Sequence, residues 1–255
     1  MNRIVKFIVL DIFRNKIILS YTILMSALSW GVFSLEDNST KGVLTLLNLI
    51  LLNVPLVSIV FSSIYLYNSS EFIELLLSQP IRRKKIWLSL FVGLQTSLIL
   101  AFLLGAGIPI LVYAPINYSF ILILIGVVIT AVFVSIAFFS SIYTRDKTKG
   151  IGIAILLWLF FALLFDGLLL FLLFQFSEYP IEVPMMFVSA LSPIDLSRIM
   201  ILLQLDVSAM MGYTGAVFRQ FFGTRIGIYI TFAVLMLWIF IPFYFSLRKF
   251  KKKDL

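Results

Sequence analysis

The sequence predicts an all-α, polytopic membrane protein, with six transmembrane helices in a single domain over residues 1–255. Hydrophobic residues make up 62% of the chain, and charged residues are almost confined to the gaps between long apolar runs. A helix needs about 20 apolar residues to cross roughly 30 Å of hydrocarbon, and each run is close to that length or longer. Strands of a membrane barrel would be shorter and would alternate in polarity, so the runs indicate helices.

The six predicted spans follow these apolar runs. Five of them contain no charged residue, and the fifth in chain order contains only Asp166. The spans are residues 17–34, 43–67, 86–114, 119–143, 151–176 and 226–247.

The basic residues predict which side of the membrane each loop occupies. All but four of the 20 Lys and Arg residues lie at the two termini and after the second and fourth spans, which share one side when six spans are counted. Short loops rich in Lys and Arg stay in the cytoplasm, so both termini are predicted to be cytoplasmic in a bacterial inner membrane. Contact with anionic membrane lipids explains the net charge of +8 better than a nucleic-acid partner does.

Residues 1–16 form a predicted interfacial helix before the first span. Apolar residues line one side of this helix and basic residues line the other, as in helices that lie in the membrane interface. A cleavable signal peptide is the alternative, and the length of this segment argues against it. The apolar side consists of Ile4, Val5, Ile8, Val9 and Ile12.

Residues 177–225 form the only sizeable predicted extramembrane segment, on the external side. A seventh span here is disfavoured, because Arg198 and Asp206 would each cost about 2.5–3.5 kcal/mol in hydrocarbon. An odd number of spans would also place the C-terminal lysines outside. The segment is therefore predicted to be a periplasmic helical loop that lies on or dips into the outer leaflet.

One helix of this loop has a recognisable start. Ser192 is predicted to be its N-cap, with Pro193 at the first helical position and Asp195 at the third. Asp195 and Arg198 lie one turn apart and can form an ion pair. Together with Asp206 they are candidate contacts for a periplasmic partner, or they hold the helix at the interface.

Asp166 is the one intramembrane charge. A carboxylate within a span is costly unless it is paired, protonated or in contact with water. Two roles remain open: a structural hydrogen bond to Gln95, to Asn48 or across a dimer axis, and the relay of an ion.

The residue inventory argues against an enzyme. The chain has no Cys and no His, so thiol nucleophiles, imidazole bases and the usual zinc ligands are missing. It also has no G-x-x-x-x-G-K-[ST] motif that would bind ATP, and no cofactor is predicted to bind this chain. Thioether sulfur suits Cu(I), but methionine also fills gaps in apolar surfaces, so five methionines are only weak candidates for metal ligands. They are Met185, Met186, Met200, Met210 and Met211.

Residues 68–85 form a cytoplasmic loop that reads N-S-S-E-F-I-E-L-L-L-S-Q-P-I-R-R-K-K. A short helix is predicted that ends before Pro80, and four basic residues then anchor the next span. A solvated turn would explain the basic residues, but it would not explain the apolar ones. The loop is therefore predicted to dock a partner through Glu71, Phe72, Glu74, Leu75 and Leu76.

The stretch E-L-L-L-S-Q-P-I-R-R, followed by a hydrophobic span, resembles the corresponding segment of ABC-2 type transporter permeases. The resemblance implies an interfacial helix, six spans, a coupling helix that fits a groove in a separate ATPase subunit, and an external helical element before the last span. ATP and Mg²⁺ would be bound by that partner ATPase. The chain departs from many relatives at Asn68, Ser69 and Ser70, where they carry a denser alternation of acidic and basic residues.

Two further blocks resemble the NosY-type membrane subunits of ABC complexes that serve copper-centre assembly in nitrous-oxide reductase. One is T-R-D-K-T-K-G (residues 144–150) together with F-D-G around Asp166, and the other is residues 192–218. The resemblance implies a homodimer, two copies of a cytoplasmic ABC ATPase, and a periplasmic accessory protein held on the external loop. ATP hydrolysis would then move the coupling helices, and the spans would carry the motion to the partner.

Three functions remain open from the sequence. They are a permease subunit for copper-centre maturation, an ABC-2 exporter of a lipid, glycan or drug, and a membrane scaffold without transport activity. Polar residues within the spans are few, which favours transmission over the export of a bulky polar substrate. They are Asn48, Asn53, Gln95 and Asp166.

Overall fold

The computed structural model describes residues 2–36, 38–176, 182–204 and 225–252, and within these ranges the chain is helical without strands. The predicted all-α fold is confirmed. π-Helical turns at Leu103–Gly107 and Phe160–Leu164 join α5 to α6 and α8 to α9. The helices are α1 (Asn2–Phe13), α2 (Lys16–Leu35), α3 (Ser39–Asn68), α4 (Ser70–Leu77), α5 (Arg83–Phe102), α6 (Ile108–Tyr113), α7 (Ile116–Tyr143), α8 (Lys147–Leu159), α9 (Phe165–Gln175), α10 (Glu182–Ser189), α11 (Pro193–Gln204) and α12 (Arg225–Lys252).

Six segments of the described residues are long and apolar enough to cross a membrane, which confirms the predicted number of spans. Several extend beyond the charge-free runs, because Lys and Arg can lay their stems along apolar surface while the charged head reaches water. The segments are Lys16–Leu35, Thr40–Asn68, Arg83–Tyr113, Tyr118–Tyr143, Lys147–Leu172 and Gly227–Lys252.

The fourth span, α7, lies at the centre of the bundle. In its most apolar stretch 72% of the residues are buried within the protein, against 11% in the sixth span. α7 packs against α3, α5, α11 and α12, and its Phe133 and Phe138 are fully buried. The peripheral spans keep large apolar faces for lipid, whereas most of the contacts of α7 are made with other helices of the protein.

Gly126 and Gly105 are among the glycines that allow close approach between spans. The ring of the fully buried Phe102 fills the space that a Cβ on Gly126 would need. A Cβ on Gly105, in the first π-helical turn, would lie 2.8 Å from the carbonyl oxygen of Thr22 in α2. Small residues at such contacts let helix backbones approach closely in a membrane.

A Gly126→Val substitution is expected to destabilise the protein by about 1–3 kcal/mol, because the buried ring of Phe102 would have to move. Thermal unfolding in detergent micelles measures the effect. Gly152→Val is the matched control, since a Cβ at Gly152 meets open space. An equal loss of stability in both variants would contradict the assigned packing.

The N-terminal helix lies along the third span at one end of the bundle. α1 packs against α5, where Ile8 and Ile12 are fully buried, while Arg3 and Lys6 are exposed. The side chain of Ile8 fits against Gly93 of α5. This arrangement has the two-sided character that the sequence predicts.

The ends of the second, fourth and sixth spans meet at the same end, which we name the basic end. Lys147 Nζ donates a hydrogen bond to Asn68 Oδ1 over 2.7 Å. Lys249 Nζ lies 5.4 Å from the ring centre of Tyr143, at the end of α7. The basic end thus brings together α1, α4, the loop after α7 and the last turns of α12.

The opposite end of the bundle carries α10 and α11. The predicted cap of α11 is confirmed, since the helix begins at Pro193 and the backbone N–H of Asp195 donates to Ser192 Oγ over 3.2 Å. Residues 192–197 are all buried, because α11 packs against α3, α7 and α12. α11 is therefore enclosed by the ends of the spans.

Candidate functional site

The first candidate site is the short helix α4 at the basic end. Ser69, with φ −89° and ψ 10°, separates it from the second span and turns the chain. The predicted helix is present over Ser70–Leu77 and ends three residues before Pro80. Glu71 lies in its first turn, where a carboxylate interacts favourably with the helix dipole.

α4 has one buried face and one exposed face. Ile73 and Leu76 are 6% and 7% exposed, so they anchor the helix to the spans. Leu75 is 65% exposed, and Glu71 and Glu74 are exposed beside it. The outward face therefore presents one large apolar side chain flanked by two carboxylates.

The structure divides the five predicted coupling residues into two groups. Phe72 stacks on Phe7 of α1 with ring centroids 5.3 Å apart, and Leu76 packs into the core, so both contact their own chain. The outward group is Glu71, Glu74 and Leu75. The anchoring role of Ile73 escaped the sequence analysis, although its spacing of three from Leu76 is the helical signal for a shared face.

Hydrogen bonds connect the elements around α4. Tyr67 Oη, at the end of α3, donates to the carbonyl oxygen of Thr144 over 3.1 Å. Trp87 Nε1 of α5 donates to Ser246 Oγ of α12 over 2.8 Å, and its ring stacks on Phe250 with centroids 4.2 Å apart. The sequence alone did not identify Tyr67 or Trp87, because their partners are distant in the chain.

A cavity of about 340 Å³ lies behind α4, between the ends of α3, α5, α7 and α12. Its lining is largely apolar, with Glu74 and Arg145 as the charged members. Ile73 and Glu74 of α4 both form part of this lining, so the cavity reaches the helix itself.

The second candidate site is a cluster of three charged residues towards the opposite end, which we name the charge cluster: Asp166, Asp195 and Arg198. Arg198 Nη1 donates to Asp166 Oδ2 over 2.6 Å and to Asp166 Oδ1 over 2.9 Å. The same nitrogen lies 3.4 Å from Asp195 Oδ1, which confirms the predicted pair within α11. The cluster thus joins α11 to the fifth span.

A π-helical turn lies directly before Asp166. Phe160–Leu164 contacts α11, and the helix α9 that carries Asp166 begins at the next residue. Single π-helical turns are frequent at functional sites, and their extra residue rotates the face of the helix that follows. The irregular turn thus lies two residues before Asp166 and contacts α11, next to the charge cluster.

Neither Gln95 nor Asn48, the two side chains predicted as hydrogen-bond partners of Asp166, contacts it in the described structure, and a bond across a dimer axis stays a prediction. Gln95 Nε2 donates to the carbonyl oxygen of Ala131 over 3.2 Å, and Asn48 is exposed. The partner of Asp166 is Arg198, because α11 inserts between the spans and brings a cation to the carboxylate. The sequence could not show this insertion.

Asp195 lies in a position that does not suit a surface contact. The residue is 3% exposed, so its carboxyl group faces the charge cluster and away from the surface. Burial, followed by the neighbouring carboxylate of Asp166, raises the pKa of Asp195 to about 7. Contact of Arg198 with a periplasmic partner stays a prediction, and Asp206 lies outside the described residues.

The methionines that were weak metal candidates are only partly described. Met185 and Met200 are buried, as expected of side chains that fill apolar gaps. The side chain of Met186 and the residues Met210 and Met211 lie outside the described part of the chain. Within that part, no group of three or more Asp and Glu side chains could hold a metal ion.

Comparison with protein families gives one match, which covers most of the chain. The model of the family described as ABC-2 family transporter protein matches residues 50–255. This range starts within α3 and includes both α4 and the charge cluster. Comparison with curated proteins gives no match. Membrane subunits of this family have a cytoplasmic ABC ATPase as partner. Because the match covers most of the chain, the chain is a membrane subunit that belongs to the ABC-2 family of transporter proteins.

Proposed function

We propose that this chain couples ATP hydrolysis by a separate cytoplasmic ATPase to a periplasmic accessory protein during copper-centre assembly of nitrous-oxide reductase. The exposed face of α4 is the observation that carries the coupling part of the proposal. Ile73 and Leu76 on one face of α4 are buried against the spans, so Leu75 on the other face is exposed. An exposed apolar side chain in this position suits insertion into a groove of a partner. Glu71 and Glu74 would give that contact its orientation.

In this proposal the basic end faces the cytoplasm of a bacterial inner membrane. Arg82, Arg83, Lys84 and Lys85 lie at the start of α5, with four residues between them and the end of α4, and segments with such residues resist translocation. The ATPase would then meet α4 on the side where ATP and Mg²⁺ are available to it. This chain would bind neither of them.

The copper-centre part of the proposal rests on the two sequence blocks that resemble NosY-type subunits. The charge cluster supports it, because Asp166 from the first block contacts Arg198 from the second. Two chains would form a homodimer, and the segment after α11 would hold the accessory protein. The subunit would transmit motion without holding copper, in keeping with the burial of Met185 and Met200.

Purification of the tagged chain from its native membrane tests this function. We expect the chain to co-purify with an ABC ATPase and a periplasmic protein, and we expect cells without it to produce nitrous-oxide reductase with reduced copper content. An ATPase without a periplasmic protein, together with fully copper-loaded reductase, would favour an exporter of a lipid, glycan or drug. No ATPase at all would favour a membrane scaffold.

A further inference from the structure

The charge cluster contains two carboxyl groups and one cation. The carboxyl groups of Asp166 and Asp195 both contact the same nitrogen, Arg198 Nη1, at 2.6 Å and 3.4 Å. If both were ionised, the cluster would carry a net negative charge in a poorly hydrated place. Each carboxylate of such a pair disfavours ionisation of the other, so one of them holds its proton to a higher pH than an isolated carboxyl group does.

The geometry indicates which carboxyl group holds the proton. The side chain of Asp195 is 5% exposed and that of Asp166 is 37% exposed. Asp166 accepts two hydrogen bonds from Arg198, as expected of a carboxylate. Asp195 Oδ2, in contrast, is buried and has no hydrogen-bond partner among the described residues. A proton on this oxygen would remove the charge of Asp195 and would leave the cluster neutral.

The helices packed around α11 bring few other titratable groups. α7 and the π-helical turn before α9 contain no charged residue, and α7 contributes Tyr118 near its start. α3 contributes Lys41 in its first turn, and α12 contributes Arg225 and Tyr229 at its start. Among the residues whose side chains the structure describes, a group that does not include Arg225, Arg198 is the cation that pairs with either carboxyl group.

We propose that the Asp166–Asp195 carboxyl pair is a proton-binding site, and that one bound proton fixes α11 against the fifth span. The site does not depend on which partner or substrate the transporter has. It would make the position of the external helix responsive to the pH outside the cell.

The direction of the pH response follows from the raised pKa. We call α11 docked when it packs against the fifth span, as in this structure. Burial raises the pKa of Asp195 from 3.8 to about 7 in the docked state. Between these two values the docked state binds more protons than an undocked state in which Asp195 is hydrated. Docking is therefore strongest at low pH, weakens as the pH rises through this window, and stays at its weaker value above about 7.

Infrared titration of the full chain in lipid nanodiscs tests the proton site. We expect a protonated-carboxyl band that titrates near pH 7, is missing in Asp195→Asn and is retained in Glu36→Gln, an acid at the same end of the bundle. Asp166→Asn should lower the midpoint, because it removes the neighbouring negative charge and leaves Arg198. A band unaffected by Asp195→Asn, or an Asp195 that titrates near 3.8, would overturn the proposal.

A distance measurement tests the effect on α11. The chain has no native cysteine, so nitroxide labels can be placed at Leu191→Cys, just before α11, and at Phe171→Cys in α9, both of which are exposed. We expect the distance distribution to broaden as the pH rises in the wild type and to stay narrow in Asp195→Asn, whose amide mimics the protonated acid. The same pH response in the wild type and in Asp195→Asn would contradict the proposal that a bound proton fixes α11 against the fifth span.

Discussion

Replacement of Arg198 by methionine is expected to lower the free energy of unfolding by about 3 kcal/mol, because it leaves two carboxyl groups near each other without a cation. This is the lower end of the range for a broken buried pair, since the side chain of Asp166 is 37% exposed. Equilibrium unfolding in detergent micelles, above the pKa of Asp195, measures the change.

Two further variants separate charge from shape at this position. Arg198→Lys keeps the charge but loses the planar fork, so a smaller loss of stability is expected. Asp166→Asn combined with Arg198→Met should recover part of the stability, because only one carboxyl group is then unpaired. A methionine variant as stable as the wild type would show that the ion pair does not hold α11.

The Leu75→Asp substitution in α4 is expected to weaken binding of the ATPase by about 2 kcal/mol or more, roughly 30-fold, as for the loss of a central interface contact. The chain itself should keep its stability, because Leu75 is 65% exposed and contributes little to the core. The affinity of the purified ATPase for the chain in nanodiscs measures the effect.

Variants in the same helix provide the controls for this experiment. Leu75→Met conserves volume and apolar character, so binding should be retained. Ile73→Asp should instead destabilise the chain, because Ile73 is an anchor of α4. Normal ATPase binding by Leu75→Asp would rule out the outward face of α4 as the contact.

The sequence was sufficient to predict the elements whose cause is local. Charge-free runs make helices that cross a membrane, and Ser192 and Pro193 mark the start of α11 through hydrogen bonding within one turn. α4 was predictable for a similar reason, since its apolar residues recur at helical spacing between a polar break and Pro80. Each of these signals lies within a few residues of the structure that it specifies.

What the sequence could not predict depends on contacts between distant segments. Arg198 and Asp166 are 32 residues apart, and their pairing requires α11 to enter the bundle. An apolar helix with a few charges looks the same in sequence whether it lies on a membrane or among spans. The stacking of Phe72 on Phe7 depends likewise on how α1 lies along α5.

Alkylation of Leu75→Cys in inside-out membrane vesicles, with and without the ATPase subunit, tests the coupling role of α4 most directly. The chain has no other cysteine, so the label reports this position alone. Leu191→Cys, exposed at the opposite end, is the control and is labelled in the same vesicles with a membrane-permeant reagent. We predict that the ATPase slows labelling of Leu75→Cys strongly and leaves the labelling rate of Leu191→Cys unchanged. Equal labelling rates at Leu75→Cys with and without the ATPase would contradict the assignment of α4 as the coupling element.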